Sequence, residues 1–354
     1  MAARYQIIAR ELENELRSMQ QTGSGKLASE AELCRRFDCS RQTIRSALAV
    51  LEQKGLIIKK RGSGSFPARM PSSISREVFV IVPDRNEYIY PSIIRDIQSA
   101  LEPKGYTLRC CSTDSRIMPE RDALAQAAEA LPAGIIMQAS NAVLCEQSSG
   151  LLRQLREAGV PLVYLFDSYE FPSQAPCITQ DNYGGAYQLV EYLASKGHRR
   201  IAAIMKSDSK SGVERYRGCM QACIELGLDF DEKQFFWFSS EDRRNILNGN
   251  DRVLRGFISD CLKPCTAVVC YNDEIAFHLI ACLEAAGLEI PRQTAVVSFD
   301  NSYYTRSGTI GITSLGHTPG ALGGGAAEAL LTLIAGKAYR PALVPWELHE
   351  RQSS

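Results

Sequence analysis

The sequence predicts a mixed α/β protein in which a small helical segment precedes a body of two doubly wound lobes. Residues 1–66 show the pattern of three helices and a hairpin, and from residue 78 onward short apolar strands alternate with helical stretches. Strands that are apolar at nearly every position are typical of parallel sheets covered by helices on both faces. The body, about 280 residues long, is large enough for two such lobes.

Charge is distributed unevenly between the two parts. Residues 1–70 contain 13 Lys and Arg against 7 Asp and Glu, a balance of +6, whereas the remaining residues contain 27 against 33, a balance of −6. A basic segment attached to an acidic body indicates that only the first part contacts a polyanion.

Composition argues against several other classes of protein. No run of about 18 apolar residues is present, and the N-terminus lacks the apolar stretch of a secretory signal, so we expect a cytoplasmic protein that does not enter a membrane. The twelve cysteines include no C-x-x-C pair, and no histidine pair has ligand spacing. We therefore expect free core thiols, no metal site and no cofactor.

The first helix is predicted over residues 5–19, and capping signals set the other two. Ser29 and Glu32 form a capping box at the start of the second helix. Ser40 is a second N-cap candidate, which begins the third helix, and Gly55 is a C-terminal signal. Asp38 lies in the turn between these helices.

The third helix has one apolar face and one face suited to a DNA groove. Its predicted buried positions recur at helical spacing: Ile44, Ala47, Leu48 and Leu51. The opposite face carries small and polar residues, with Arg41, Gln42 and Arg45 near its start. Arginine can donate two hydrogen bonds to guanine and glutamine can read adenine, while Ser40 and the helix N-terminus can hold a phosphate.

A basic glycine hairpin follows the third helix. "LIIKK" reads as a strand, "RGSG" as a turn, and "SF" as the start of a return strand. Cations such as Lys59 and Arg61 can neutralise phosphates, and Gly62 lets the backbone approach a duplex. We therefore predict a winged helix-turn-helix over residues 1–67, a linker over 68–76 and a ligand-binding and dimerisation domain over 77–354.

The stretch "LASEAELCRRFDCSRQTIRSALAVLEQKGLIIKKRGSGSF" resembles the winged helix-turn-helix of the GntR family. The resemblance implies binding to double-stranded DNA. The predicted DNA-contacting residues are Arg4, Ser40, Arg41, Gln42, Thr43, Arg45, Lys59, Arg61 and Gly62. The chain departs from the family at Ala31, where many members carry arginine, and at Asp38, which replaces a turn glycine. Aspartate tolerates the left-handed conformation, so we expect the turn to persist.

Polar side chains follow the predicted strands of the body. Ligands of open α/β sheets bind beyond the carboxyl ends of strands, where carboxylates and amides can pair with vicinal hydroxyls. The same residue types also occur there as ordinary helix caps. The residues at these ends are Asp84, Tyr88, Tyr90, Asp167, Lys206, Asn272, Asp273, Asp300 and Asn301.

The segments "TQDNYGGAYQLVEYLASKGHRRIAAI", "GVERYRGCMQA", "AVVCYNDEIAF" and "TSLGHTPGALGGGAAEALL" resemble the sugar-sensing domain of the LacI and periplasmic-binding-protein superfamily. The combination of this domain with a GntR-like winged helix-turn-helix in residues 1–66 resembles the arabinose-repressor family. This implies a homodimer on an inverted-repeat operator, released by a small neutral sugar such as L-arabinose or a related aldopentose. The implied effector contacts are Tyr90, Asp167, Lys206, Arg215, Asn272, Asp273 and Asp300.

Two alternatives remain open at this stage: a sugar-handling enzyme or carrier, and a regulator with a different ligand. A sugar-handling enzyme would need a nucleophile or base, and no acid–base pair with a matching nucleophile is evident. A carrier would need a secretory signal. A regulator that senses another sugar or a nucleobase keeps the same architecture. We therefore predict a regulator rather than an enzyme.

Overall fold

The computed structural model describes residues 4–22, 27–53, 57–60, 64–67, 75–86, 88–143, 148–170, 175–340 and 343–354. The chain divides into two compact units, residues 1–75, here called the head, and residues 76–354, here called the body. No helix within the described ranges is both long and apolar enough to cross a membrane.

The head contains three helices and a two-stranded antiparallel hairpin. Its elements are α1 (Arg4–Thr22), α2 (Glu30–Phe37), α3 (Arg41–Gln53), β1 (Ile57–Lys60) and β2 (Gly64–Pro67). The four predicted core positions of α3 are all buried, and they pack with Ile8, Leu12 and Leu33 of the first two helices. The predicted amphipathic stripe of the third helix is therefore confirmed.

Local hydrogen bonds confirm the predicted starts of α2 and α3, whereas the predicted stop signal Gly55 lies outside the described residues. The Ser29 amide donates to the Glu32 carboxylate at 2.7 Å and the Glu32 amide donates to the Ser29 hydroxyl at 3.3 Å, which completes the capping box. The Thr43 amide donates to the Ser40 hydroxyl at 3.2 Å. Asp38 ends α2 in the left-handed conformation with φ 43°, so the turn persists without glycine, as expected.

Lobe 1 of the body is built on a five-stranded parallel sheet of order β4-β3-β5-β6-β7. Its strands are β3 (Glu77–Val82), β4 (Thr107–Ser112), β5 (Gly134–Met137), β6 (Leu162–Leu165) and β7 (Cys177–Ile178). Its helices are α4 (Tyr90–Leu101), α5 (Ile117–Ala130), α6 (Ser149–Glu157) and, from later in the chain, α12 (Ala321–Ile334). Alternate residues of β3 face opposite sides: Val80 packs toward α4 and α12, and Phe79 packs toward α5 and α6.

Lobe 2 repeats this design on a six-stranded sheet of order β13-β12-β11-β10-β8-β9, in which only β13 is antiparallel. Its strands are β8 (Ile201–Lys206), β9 (Phe235–Phe238), β10 (Ala267–Cys270), β11 (Ala295–Phe299), β12 (Thr313–Gly316) and β13 (Glu347–His349). Its helices are α7 (Asn182–Ser195), α8 (Lys210–Glu225), α9 (Ser240–Leu247), α10 (Arg252–Phe257) and α11 (Asp273–Ala285). Both lobes are therefore doubly wound.

The glycine run in α12 serves close packing. A Cβ atom added at Gly323 would lie 2.4 Å from the Ile93 carbonyl oxygen of α4, a distance that side chains do not tolerate. The glycine therefore lets the two helices approach closely.

Seven predicted strands of the body are confirmed, and four others were not predicted. The strands β7 and β13 carry weak signals because they are only two and three residues long. The edge strand β9, "FFWF", was missed although aromatic residues favour strands. The interior strand β12 begins "TS" because Thr313 and Ser314 bond to buried polar groups rather than to an apolar layer.

Three described segments connect the lobes, and two of them are paired. The amide of Val344 donates to the Thr179 carbonyl at 2.9 Å, next to the isolated bridge between Gln180 and Val344. The Trp346 indole donates to the Asp181 carbonyl at 2.8 Å. The third segment passes through His317, whose ring stacks on Trp346. The lobes are thus joined along one side, opposite an open cleft.

Candidate functional site

A cavity, here called the first cavity, lies where the carboxyl ends of the two body sheets meet. It is lined by residues that follow strands of both lobes, including Asp84, Gln138, Phe166, Lys206, Tyr271, Asn272 and Asp300. Its volume is about 70 Å³. One water needs ~10–15 Å³ of such cavity volume, and each water occupies ~30 Å³ in the liquid. The first cavity therefore has room for roughly 150–200 Å³ of liquid water. This is the scale of a single sugar ring.

Aromatic rings form the apolar part of the wall. Tyr90 at the start of α4 meets Phe166 edge to face with ring centroids 6.4 Å apart, and the Tyr90 hydroxyl donates to Gln138 Oε1 at 2.8 Å. Tyr271 lines the lobe 2 side. Such rings can cover the apolar face of a sugar while polar groups bond to its hydroxyls.

Each cation in the lining already has a carboxylate beside it. Lys206 Nζ lies 3.6 Å from Asp208 Oδ1, Arg215 Nη2 lies 3.5 Å from Asp300 Oδ1, and Arg243 makes a two-pronged pair with Glu274 at 2.5 and 2.8 Å. The first cavity therefore presents balanced charge. An anion would have to compete with these carboxylates, whereas a neutral polyol would not.

Arg215 is the centre of the lobe 2 wall. Its guanidinium is buried over the Phe299 ring, 4.0 Å from the ring centroid. Its Nε donates to Asn182 Oδ1 at 2.9 Å and its Nη1 donates to the Tyr271 carbonyl. These contacts fix the group that faces Asp300.

The backbone around the first cavity is held in an uncommon conformation at five non-glycine residues. Tyr88, Ser115, Phe166, Asp300 and Asn301 have φ values of 59°, 52°, 60°, 94° and 46°. Such left-handed residues cost about 1–3 kcal/mol each and concentrate at ligand sites. The Tyr88 hydroxyl of lobe 1 donates to Asp300 of lobe 2, so this strained backbone supports a direct link between the lobes.

Asp273 lies behind the lining and not in it. It is fully buried and accepts hydrogen bonds from the Ser298 and Ser314 hydroxyls and, at 2.6 Å, from the Ser302 amide. Burial, followed by the charge of Asp300, raises the pKa of this carboxyl to about 7, against the lowering effect of its three donors. Asp273 thereby anchors the loop that carries Asp300.

The surface of α3 carries the predicted DNA-reading side chains. Arg41, Gln42 and Arg45 are all exposed. Arg45 Nε lies 3.0 Å from Glu30 Oε2 of α2, and the Arg45 side chain is 62% exposed. An exposed pair of this kind contributes about 0–1 kcal/mol, so it orients Arg45 without preventing contact with a base.

Two family models match the chain. Residues 4–66 match the model of bacterial regulatory proteins of the GntR family, and residues 190–354 match a periplasmic binding protein-like domain. The chain joins a GntR-type helix-turn-helix domain to a periplasmic-binding-protein-like domain. The second match agrees with the periplasmic-binding-protein-like body that the sequence predicted, and the first match gives the head the architecture of a transcription regulator.

Curated relatives match this chain along most of their length. An arabinose metabolism transcriptional repressor of Geobacillus stearothermophilus is 28% identical over 90% of this chain and 90% of its own. The repressor of the same name from Halalkalibacterium halodurans is 25% identical over 94% of this chain and 90% of its own. The HTH-type transcriptional repressor PurR of Vibrio atlanticus is 26% identical over 78% and 79%.

Solved structures support the fold of the body. A periplasmic binding protein/LacI transcriptional regulator of Alkaliphilus metalliredigens QYMF, complexed with D-xylulofuranose, superposes with a TM-score of 0.68 at 22% identity, covering 79% of this chain and 99% of that one. The transcriptional regulator CelR in complex with cellobiose superposes with a TM-score of 0.68 at 23% identity, covering 89% and 92%.

The structure brings five of the seven predicted effector residues together in the lining of the first cavity. These are Tyr90, Lys206, Arg215, Asn272 and Asp300. Asp273 and Asp167 lie outside the lining. The contact of Asp273 with the effector stays a prediction; in the structure its oxygens accept hydrogen bonds from internal donors.

Asp167 connects the two lobes instead of facing the ligand. Its carboxylate accepts hydrogen bonds from the Ser209 hydroxyl at 3.0 Å and the Ser211 amide at 3.2 Å, both in lobe 2, and from the Gln138 amide at 3.4 Å. Its placement at a strand end was predicted correctly, and its neighbours give it a part in lobe closure.

Sequence reasoning did not identify Arg243 or Gln138 as lining residues. Arg243 lies in α9, which follows the unpredicted edge strand β9, so no strand end pointed to it. Gln138 directly follows β5, a predicted strand whose carboxyl end could have indicated it. The predicted set of effector residues therefore omitted the cation Arg243 and included Asp167 and Asp273, two carboxylates that lie outside the lining.

Several side chains that were predicted to contact DNA form hydrogen bonds within the GntR-type head. The Arg4 guanidinium donates to the Phe37 and Asp38 carbonyls at 3.2 and 2.8 Å, which closes the end of α2. The hydroxyls of Ser40 and Thr43 lie 2.9 Å apart at the start of α3. Lys59 lies in β1, opposite Ser65 of β2. Arg61 and Gly62 lie outside the described residues.

Proposed function

We propose that this protein is a sugar-responsive repressor in which a small neutral sugar, L-arabinose or a related aldopentose, binds the first cavity and lowers affinity for an inverted-repeat operator. The observation that carries the proposal is a ring-sized cavity of paired charges and aromatic walls in a chain that also has a GntR-type head. Two relatives named as arabinose metabolism repressors support the choice of sugar.

The chemistry of the lining favours hydroxyl groups as ligands. Asn272 uses its Oδ1 to accept from the Ile275 amide at 3.0 Å, which leaves its amide hydrogens for a ligand. Asp300, which follows β11, offers an acceptor, and Lys206, at the end of β8, offers a donor. A hydroxyl both donates and accepts, so one sugar can satisfy this mixed set.

Binding in the cleft couples to DNA through closure of the lobes. A ligand that contacts residues of both lobes favours the closed arrangement, and only this difference in affinity between arrangements can shift the equilibrium. The lobe 1 contacts come from Tyr90 and Gln138, and the lobe 2 contacts come from Asn272 and Asp300. Closure then changes the spacing of the two heads of a dimer.

Calorimetry with the full-length protein tests the choice of ligand. The panel contains aldopentoses, hexoses, their phosphate esters and a purine base, and each compound that binds is then added to a gel shift on the upstream region of the protein's own gene. We expect heat with a neutral pentose and release of DNA by the same sugar. A clear preference for a phosphate ester, or heat with the purine alone, would overturn the assignment.

The head is expected to read bases through Arg45. Replacing Arg45 by alanine should weaken operator binding by about 1–3 kcal/mol and relax base choice at one position of each half-site. Replacing Lys59 by alanine serves as the contrast, because a phosphate contact weakens all sequences alike and lowers the salt dependence. Gel shifts at several salt concentrations separate the two effects, and unchanged selectivity for the Arg45 variant would contradict base reading.

The repressor is expected to act as a homodimer. One winged head reads too few base pairs for a specific site, and a two-fold operator mirrors the symmetry of its protein. Sedimentation of the full-length chain at micromolar concentration should give twice the mass of 39.1 kDa. A single chain that binds its operator as a monomer would refute this proposal.

A further inference from the structure

A second cavity opens between the lobes beside the first. It has a volume of about 650 Å³, and the two cavities share Ser115 in their walls. Lobe 1 contributes residues 115–119 and Asn141, and lobe 2 contributes Asp208 and residues that include Ser240 and Arg244.

We propose that the second cavity is a subsite for a second sugar ring linked to the ring in the first cavity, so that the effectors include disaccharides. The inference rests on the proposed function and extends its ligand class.

Three buried polar atoms in this wall have no hydrogen-bond partner among the described residues. They are Asp208 Oδ1, Ser240 Oγ and Arg244 Nε. Asp208 and Ser240 are more than nine-tenths buried. Buried polar atoms without partners are rare because each costs about 1–3 kcal/mol in desolvation. Three of them in one cleft indicate a missing polar ligand.

Neighbouring bonds hold these atoms in position without satisfying them. The Ser240 amide donates to Asp208 Oδ2 at 2.9 Å, while Lys206 of the first cavity lies 3.6 Å from Asp208 Oδ1, beyond hydrogen-bond distance. Arg244 Nη1 donates to the Asp114 carbonyl of lobe 1 at 3.1 Å. The Lys206–Asp208 pair therefore connects the first cavity to the second.

The lobe 1 side is strained and partly apolar. Asp114, Ser115 and Asn141 all have φ values of 52°, a conformation that concentrates at ligand clamps. Met118 is 64% exposed and lines the same cavity with Pro119. An exposed apolar wall opposite unpartnered polar atoms suits a sugar ring, which has an apolar face and a hydroxyl edge.

The mixture of donors and acceptors excludes simpler occupants. Asp208 Oδ1 requires a donor, Arg244 Nε requires an acceptor, and Ser240 Oγ can do either. A phosphate or carboxylate offers acceptors alone and leaves Asp208 Oδ1 without a donor, whereas a metal cation leaves Arg244 Nε without an acceptor. Hydroxyl groups satisfy all three atoms at once.

Calorimetry on the full-length protein tests the subsite with L-arabinose, xylose and glucose against arabinobiose, xylobiose and cellobiose. Ser240→Ala removes a hydroxyl that makes no bond within the described structure, so the fold should survive, and melting curves check this. Met118→Ala removes an exposed wall from the other lobe. The matched control is Ile224→Ala, because Ile224 is 56% exposed and lines neither cavity.

We expect at least one disaccharide to bind roughly tenfold more tightly than its monosaccharide, since each neutral hydrogen bond contributes about 0.5–1.5 kcal/mol. Ser240→Ala and Met118→Ala should each weaken that disaccharide about threefold or more and change the monosaccharide less than about twofold. Monosaccharide binding without a disaccharide advantage would overturn the subsite and leave the proposed function intact. A disaccharide that binds while monosaccharides do not would support the subsite and overturn the aldopentose assignment. No binding by any neutral sugar would overturn both.

Discussion

Replacing Arg215 by methionine is expected to abolish the response to sugar and to lower the free energy of unfolding of the body by about 3–5 kcal/mol. The Arg215 side chain is only 3% exposed and is held by Asn182, the Tyr271 carbonyl and Asp300. Removing the guanidinium leaves the Asp300 carboxylate buried without its cation. The lobe 2 wall of the first cavity then loses the Arg215 donor, and the Asp300 acceptor is no longer held in position.

Two variants of the same helix separate the causes of this effect. Arg217 is exposed in α8, so Arg217→Met should change the free energy of unfolding by less than about 0.5 kcal/mol. Arg215→Lys keeps the charge but loses the planar guanidinium that serves several acceptors at once. Its loss of unfolding free energy should lie between those of Arg217→Met and Arg215→Met. Urea unfolding and calorimetry measure stability and sugar binding separately. Full sugar response in Arg215→Met would contradict the assignment of the first cavity.

Sequence patterns specified the parts of the fold that depend on local order. The apolar stripe of α3, the capping box at Ser29 and the apolar parallel strands all have short-range signals, and each was predicted correctly. Strand ends also indicated the first cavity, because parallel strands deliver their carboxyl ends to one edge. Thus Lys206 and Asp300 were identified before any tertiary information.

The remaining features of the site depend on tertiary neighbours. Asn272 and Asp273 are adjacent after one strand, but the backbone turns Asn272 toward the first cavity and Asp273 toward the serines of β11 and β12. Adjacent polar residues look alike in sequence, so no pattern distinguishes a ligand contact from its buried support. Likewise, the pairing of Arg243 with Glu274 required the position of α9, which no periodicity supplied.

Asp273 lies outside the lining of the first cavity and supports it from behind. Asp273 receives three internal hydrogen bonds, and two of its donors, Ser302 and Ser314, control the loop that carries Asp300. Ser314 Oγ also accepts from the Asn301 amide at 3.1 Å, next to the left-handed residues of this loop. The strained backbone persists because Asp273 fixes both sides of it.

Replacing Asp273 by asparagine places an amide donor against these donors. The variant should lose about 2–4 kcal/mol of unfolding free energy at pH 5, because at least one buried donor loses its acceptor. Loosening of the loop should also weaken sugar binding roughly tenfold, while operator binding without sugar persists. The result would be a repressor that responds poorly to its effector.

The size of this stability loss should depend on pH, and the direction follows from the raised pKa. Burial and the Asp300 charge raise the pKa of Asp273 to about 7 in the folded protein, above the unfolded value of about 3.9. Between these values the folded chain holds the proton and the unfolded chain does not, so the wild-type protein loses up to about 1.4 kcal/mol of stability per pH unit as pH rises from about 4 to about 7. The asparagine variant lacks this titration, so its loss of unfolding free energy relative to wild type should shrink as pH rises through this window and stay constant above it.

Urea unfolding of both proteins from pH 5 to pH 8 measures the difference. The matched control is Asp229→Asn, a change at an exposed ion pair that should show no such trend. A deficit that stays constant from pH 5 to pH 8 would show that Asp273 is ionised throughout this window, and would leave its three donors, rather than its proton, as the support of the loop.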